Sequence, residues 1–284
     1  YETPLGQARL NELARPVDAP TPKQRSRTPR LNGMQQRMYA AARSSRLTAD
    51  WQTSNSSADA EMVSSLTQLR SRSRALVRDS SYAKCAKVLV VNNVIGWSGI
   101  GVQAQVKTND GKLIARINDE IEDVWNEWCQ AETCHIGGRL HFAHFERALM
   151  AQVFEAGEVF VRLHYRSVSA SKIPLTMELI EAERLADDFT QPGPAAPGNH
   201  VRMGIEVDKY YRPVAYWIRE DHPGEVRWPT GSSHRYERVP ASDIIHLARI
   251  DRWPQTRGEP WMHTAARRLN DMDGYSEAEI IRAR

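Results

Sequence analysis

Apolar positions recur three or four residues apart through the first half of this chain, and alternate through much of the second half. The first spacing belongs to helices and the second to strands, so the pattern predicts an α+β fold. It has several amphipathic helices, a small, mainly antiparallel sheet, and a long helix at the end. Residues 1–30 read as an extended arm rich in proline and arginine, and residues 34–46 as a short helix. Ser57 can cap a helix running from Ala58 to about Arg78. Met62, Leu66, Leu69, Ser73 and Leu76 mark its apolar face, with Arg70, Arg72, Arg74 and Arg78 on the other faces. A second helix spans about 82–95 and is apolar nearly all round, which predicts burial.

Residues 100–106 alternate and predict a strand, closed by a turn at Asn109-Asp110-Gly111. From Leu113 to Gln130 the helical spacing is strong: Ile114, Ile117, Ile121, Val124, Trp125 and Trp128 share one face. Asp119, Glu120, Glu122, Asp123 and Glu127 make the opposite face acidic. A helix follows over 142–156, with Gly157 as its cap.

The alternating half begins there. Val159, Val161, Leu163 and Tyr165 point one way, and Arg162, His164 and Arg166 the other. A second strand is expected from Leu175 to Glu181, then a surface excursion at QPGPAAPGN. A hairpin follows with Val214, Tyr216 and Ile218 on one face, then a turn at HPGE, a loop near 230–232 and a strand over 243–249. Pro254, Gly258 and Pro260 crowd the next loop. Trp261, Ala265, Leu269 and Met272 then mark the last helix, with Pro260 in its first turn. No stop signal follows Arg284, so the native protein is expected to continue. By region, 1–30 is arm, 31–156 helical, 157–249 β-rich, and 250–284 the loop and final helix.

Composition narrows the chemistry. The net charge of +3 is mildly basic, which permits nucleic-acid contact without demanding it. Arginine greatly outnumbers lysine, which suits interfaces and phosphate contacts, and equally suits a genome with biased base composition. No apolar run is long enough to span a membrane. Three cysteines, an odd number, argue against a disulfide framework.

Candidate chemistry is sparse. Cys129, Cys134, His135, His141 and His144 lie close together, as zinc ligands can. The usual paired-cysteine gap is absent, so a loop thiol pair with surface histidines is the plainer reading. The glycines at 96, 99 and 101 match no phosphate loop. Asp243 and His246 lie three apart near a strand end and could be a base and its orienter, but no nucleophile is implied, and a satisfied core histidine is the plainer reading. Glu155 and Glu158 could do acid–base work, but read more simply as surface residues at a turn. No catalytic residue, cofactor or metal is assigned.

The order of motifs near the end carries more. Pro240-Ala241, Asp243 and His246 are followed by Arg257-Gly258 and Pro260-Trp261. Asp271, Asp273, Tyr275, Glu277, Ala278 and Glu279 follow on a helix. This succession resembles the lambda-type portal proteins of tailed bacteriophages. Gly274 stands where the family usually has an acid, which weakens the helix by about 1 kcal/mol. The resemblance implies a portal wing and a structural role at the capsid vertex of the virion, assembled in the host bacterial cytoplasm. It implies a ring of about twelve copies. Its implied partners are the major capsid protein, the terminase large subunit and head–tail adaptor proteins. Double-stranded DNA would pass without sequence specificity, with Arg267, Arg268, Arg282 and Arg284 as the candidate DNA-facing residues. Asp243, His246, Arg257, Gly258, Pro260, Trp261, Tyr275 and Glu279 would be structural. Two alternatives stay open: a metal-binding enzyme using the Cys/His group at 129–144, and a different phage connector protein.

Overall fold

The helical half meets the strand half at Gly157. Its φ of +85° turns the chain out of the helix Phe142–Ala156 and straight into the strand Glu158–His164. The structure is a computed structural model, and it describes residues 46, 49, 50, 53–166, 171–187, 198–225 and 236–284. The chain divides into two units, 1–54 and 55–284, and the first lies almost wholly outside the described residues. The expected arm over 1–30, nearly all of the helix over 34–46, most of the QPGPAAPGN excursion and the loop at 230–232 fall outside them too.

The described helices are α1 (Ala58–Met62), α2 (Leu66–Asp79), α3 (Ser81–Val94), α4 (Ala115–Trp128), α5 (Ala131–Cys134), α6 (Phe142–Ala156) and α7 (Ala266–Ala283). The strands are β1 (Glu158–His164), β2 (Thr176–Ile180), β3 (His200–Arg202), β4 (Ile205–Val207), β5 (Pro213–Arg219), β6 (Tyr236–Pro240) and β7 (Ile244–Ala248). The fold is α+β. Its strands form two antiparallel sheets where one was expected: β2-β1-β7 and β3-β4-β5-β6.

β1 is the centre of the packing. Phe160 faces the second sheet, in a core with Ile180, Ile205, Tyr216, Ile218 and Val239. Val161 faces the helices, in a core with Trp128, Cys134, Phe145 and Met177. A third cluster of Val77, Ala83, Phe154 and Met262 ties α2, α3 and α6 to the segment before α7. With both faces covered, β1 buries its first four residues, polar or not.

Five expectations need correction. The helix expected over 58–78 breaks between Met62 and Leu66. Ser65 Oγ donates to the Glu61 carbonyl at 2.9 Å, the kind of side-chain bond that competes with a continuous ladder. The buried face of α2 is also rotated: Leu66, Arg70, Ser73 and Val77 point inward, so Arg70 lies inside. α3 buries only Ala83 and Val91, because it is covered on one side alone. Residues 100–106 form no strand. Ala104 N–H donates to Glu122 Oε1 (3.0 Å) and Val106 N–H to Asn118 Oδ1 (2.7 Å), so side chains of α4 take the bonds a neighbouring strand would have taken. The last helix begins at Ala266 after a run of turns, leaving Pro260 ahead of it.

Candidate functional site: a buried ion cluster

The first polar residue of β1 is Glu158, and it is fully buried. An isolated carboxylate there would be untenable, so the fold surrounds it with donors. Arg257 Nε donates to Oε1 at 2.6 Å, and Arg70 Nη2 donates to the same oxygen. The Gly258 N–H donates to Oε2 at 2.8 Å, and His246 Nε2 lies 2.9 Å from it. Burial by itself would push this carboxyl up. Arg257, Arg70 and the His246 hydrogen bond outweigh it and hold Glu158 far below the usual carboxylate range.

The two arginines are as buried as their partner. Arg257 Nη1 donates to Asp187 Oδ1 and to the Met203 carbonyl, both at 2.8 Å, and Nη2 donates to the Ala182 carbonyl at 3.0 Å. Nη2 also lies 2.6 Å from Glu158. Arg70 Nε donates to the Ala156 carbonyl at 3.3 Å, and its Nη1 to Asp187 Oδ2 at 3.3 Å. Two arginines against Glu158 and Asp187 leave no formal charge. Met203 and Gly204 both have positive φ, 46° and 83°, which is the two-residue hairpin turn between β3 and β4. That turn aims the Met203 carbonyl at Arg257. Phe160 and His246 stack at 4.4 Å between ring centres and close the cluster's aromatic side, with Tyr216 at 5.8 Å from the same imidazole.

The backbone around the cluster admits no side chain at two points. A Cβ at Gly157 would meet the Glu259 carbonyl carbon at 2.2 Å, and one at Gly258 would meet the Gly157 oxygen at 2.2 Å. The Gly157-Glu158 and Gly258-Glu259 backbones therefore touch directly. Gln255 holds the loop ahead of them: its Oε1 accepts from the N–H groups of Asp251 and Arg252, and its Nε2 donates to the Arg257 carbonyl at 2.8 Å. Asp59 of α1 fixes the same loop from outside through Thr256 N–H (2.8 Å), and it pairs with Arg202 at 2.6 Å.

The structure brings some of the sequence candidates together and leaves others apart. His246, Arg257 and Gly258 meet on Glu158, and Pro260 is buried next to them. Asp243 sits in the short turn before β7, bonded to Ser242 Oγ at 2.8 Å. Trp261 packs on Phe154 with ring centres 6.0 Å apart. Tyr275 and Glu279 are exposed on α7, as are Arg267, Arg268, Arg282 and Arg284. Arg267 lies 3.9 Å from Asp271 and Arg282 lies 3.6 Å from Glu279.

Glu158 is not a surface residue and Arg70 is not on an outer face; both are buried. The sequence held a signal for each. Glu158 shares a strand face with Phe160, two residues on. Arg70 falls on the line Leu66, Ser73, Val77, where it is the lone charge.

The Cys/His group does not converge. Cys129 and Cys134 are packed in the core, and the Cys134 thiol donates to the carbonyls of Cys129 and Leu140. Burial pushes both thiols up to about 11, so neither is a thiolate at neutral pH. His141 instead caps α6, accepting from Ala143 N–H at 3.3 Å. Among the described residues only Glu181, Glu183 and His222 bring three possible ligand atoms together. Arg74 reaches both carboxylates, at 3.2 and 2.8 Å, and so occupies the cation's place.

What fold and site define is an α+β chain whose motif residues lock one loop onto one strand. The profile of the phage portal proteins of the lambda family matches residues 44–284, and the chain belongs to that family. The probable portal protein of Halomonas phage phiHAP-1 is 31% identical over 280 residues, 97% of this chain and 52% of that protein. Portal protein B of Escherichia phage lambda is 21% identical over 245 residues, 81% of this chain and 44% of that protein. The chain thus spans about half the length of these relatives. A solved chain from the virion of a native gene transfer agent particle covers 75% of this chain and 45% of its own length, at 12% identity and a TM-score of 0.44. That likeness is weak.

Proposed function

We propose that this chain forms the peripheral wing of a portal subunit, which assembles with its own copies into a ring at one capsid vertex of a phage particle. The observation that supports it is the family match over 44–284, which takes in every motif residue from Asp243 to Glu279. In this reading the helical part (31–156) and the β-rich part (157–249) make the wing, and 250–284 leads toward the channel. The ring of about twelve copies passes double-stranded DNA during packaging and ejection. It docks the terminase large subunit, sits among major capsid proteins and joins the head–tail adaptors. The work is packing and electrostatics.

The charges on α7 support a conduit that does not grip. Arg267, Arg268, Arg282 and Arg284 are matched in number by Asp271, Asp273, Glu277 and Glu279. Phosphate contacts must be broken as DNA slides, and tight ones would stall it. A native mass measurement of the intact protein tests the ring. A mass of many subunits is expected, and a monomer at high concentration overturns the reading.

A further inference from the structure

We propose that neighbouring copies in this ring join through two unlike surfaces: the apolar stripe of α4 on one copy and the outward stripe of α3 on the next. The inference rests on the portal reading above and names the faces that serve it.

α4 is strongly two-faced, yet its own chain buries only Asn118 and Trp128 of it. Ile117, Ile121 and Val124 line an open groove of about 320 Å³ with Trp125 and Ile173, and Ile121 is 45% exposed. Along one shoulder of this stripe run Glu120 and Glu127. Glu120 lines the groove itself, exposed and 3.9 Å from Arg116. The helix holds one arginine against five acids, a net of −4.

α3 offers the complement. Opposite its buried Ala83 and Val91 it presents Tyr82, Val88 and Leu89, at 60%, 44% and 55% exposure. It carries two lysines and no acid; Lys87 pairs with Glu155 at 2.7 Å, which leaves Lys84 as the charge it offers outward. Lys84 lies one turn before Val88, exposed and without an ion pair among the described residues. Apolar exposure on this scale marks a contact surface.

The charges decide which pairs with which. Two α4 stripes face to face would set acids against acids, and two α3 stripes would set Lys84 against Lys84, so like pairing is opposed. α4 against α3 buries both stripes with opposite shoulders. A contact between unlike surfaces runs head to tail and closes only as a ring.

Sedimentation of the intact protein and two exposed-site variants, Leu89→Asp and Ile121→Asp, tests this. Each variant alone is expected to lose ring assembly while keeping its unfolding midpoint. Mixed one to one, they are expected to form dimers and stop, since only one good face of each remains. The charge pair gives a second reading: Lys84→Glu and Glu120→Lys each weaken assembly, and the double variant restores it. Rings that persist in both single variants overturn the inference and leave the portal reading standing. Variants that dimerise alone but not with each other overturn it in favour of like-with-like pairing. Failure of the unaltered protein to form rings overturns the portal reading and this inference with it.

Discussion

Glu158 is the residue on which the interior depends. Its charge is acceptable only because Arg257, Arg70, Gly258 N–H and His246 all reach it. Glu158→Gln leaves two buried guanidiniums with Asp187 as their single counter-charge among the described residues, and is expected to cost about 3–5 kcal/mol, read as a lowered urea midpoint. The pH dependence follows from the depressed pKa. As pH falls, the unfolded chain takes up the proton first, so protonation favours the unfolded state. The contribution of Glu158 is therefore complete above about pH 4.3 and drains away as pH falls toward its folded value. Urea midpoints at neutral pH and in acid should differ more for the natural chain than for Glu158→Gln; equal slopes would contradict the cluster. Gly258→Ala is expected to destabilise by about 1–3 kcal/mol, because its methyl would enter the Gly157 carbonyl. Thiol titration checks the Cys/His group: Cys129 and Cys134 should stay unreactive in the native protein and react on unfolding.

Elements whose signals were local were legible. α6 was readable at both ends because Phe142, Phe145, Leu149 and Val153 keep one spacing and Gly157 stops it. β1, β5 and β7 were readable because alternation survives in each. What failed depended on distant partners. Arg70 and Glu158 are 88 residues apart, and nothing near either one names the other. α3 looks buried from its composition, because composition does not say how many sides are covered. Residues 100–106 alternate as a strand does, but the backbone partners are Glu122 and Asn118 of α4. Asn118→Ala is expected to cost about 1 kcal/mol overall. Faster amide exchange should appear at Val106; unchanged exchange there would show that another group holds the segment. The motif loop was legible as a family mark, while its purpose was not: Arg257 and Gly258 converge on a carboxylate from a strand far back in the chain.

At the scale of the molecule, the helices and two sheets pack around β1, and exposed apolar stripes remain on α3 and α4. Such a molecule is suited to mating with copies of itself. The near-balance of charge predicts weak duplex binding by the intact protein at physiological salt, read by filter retention across a salt series. Tight retention would contradict a sliding conduit. The family, the locked motif loop and the exposed stripes all support the proposal that copies of this chain close a ring. Class-averaged particle images of the intact protein, viewed down the symmetry axis, test it most directly. Closed rings with an open centre are the expected result, and a field of single subunits or open filaments would contradict it.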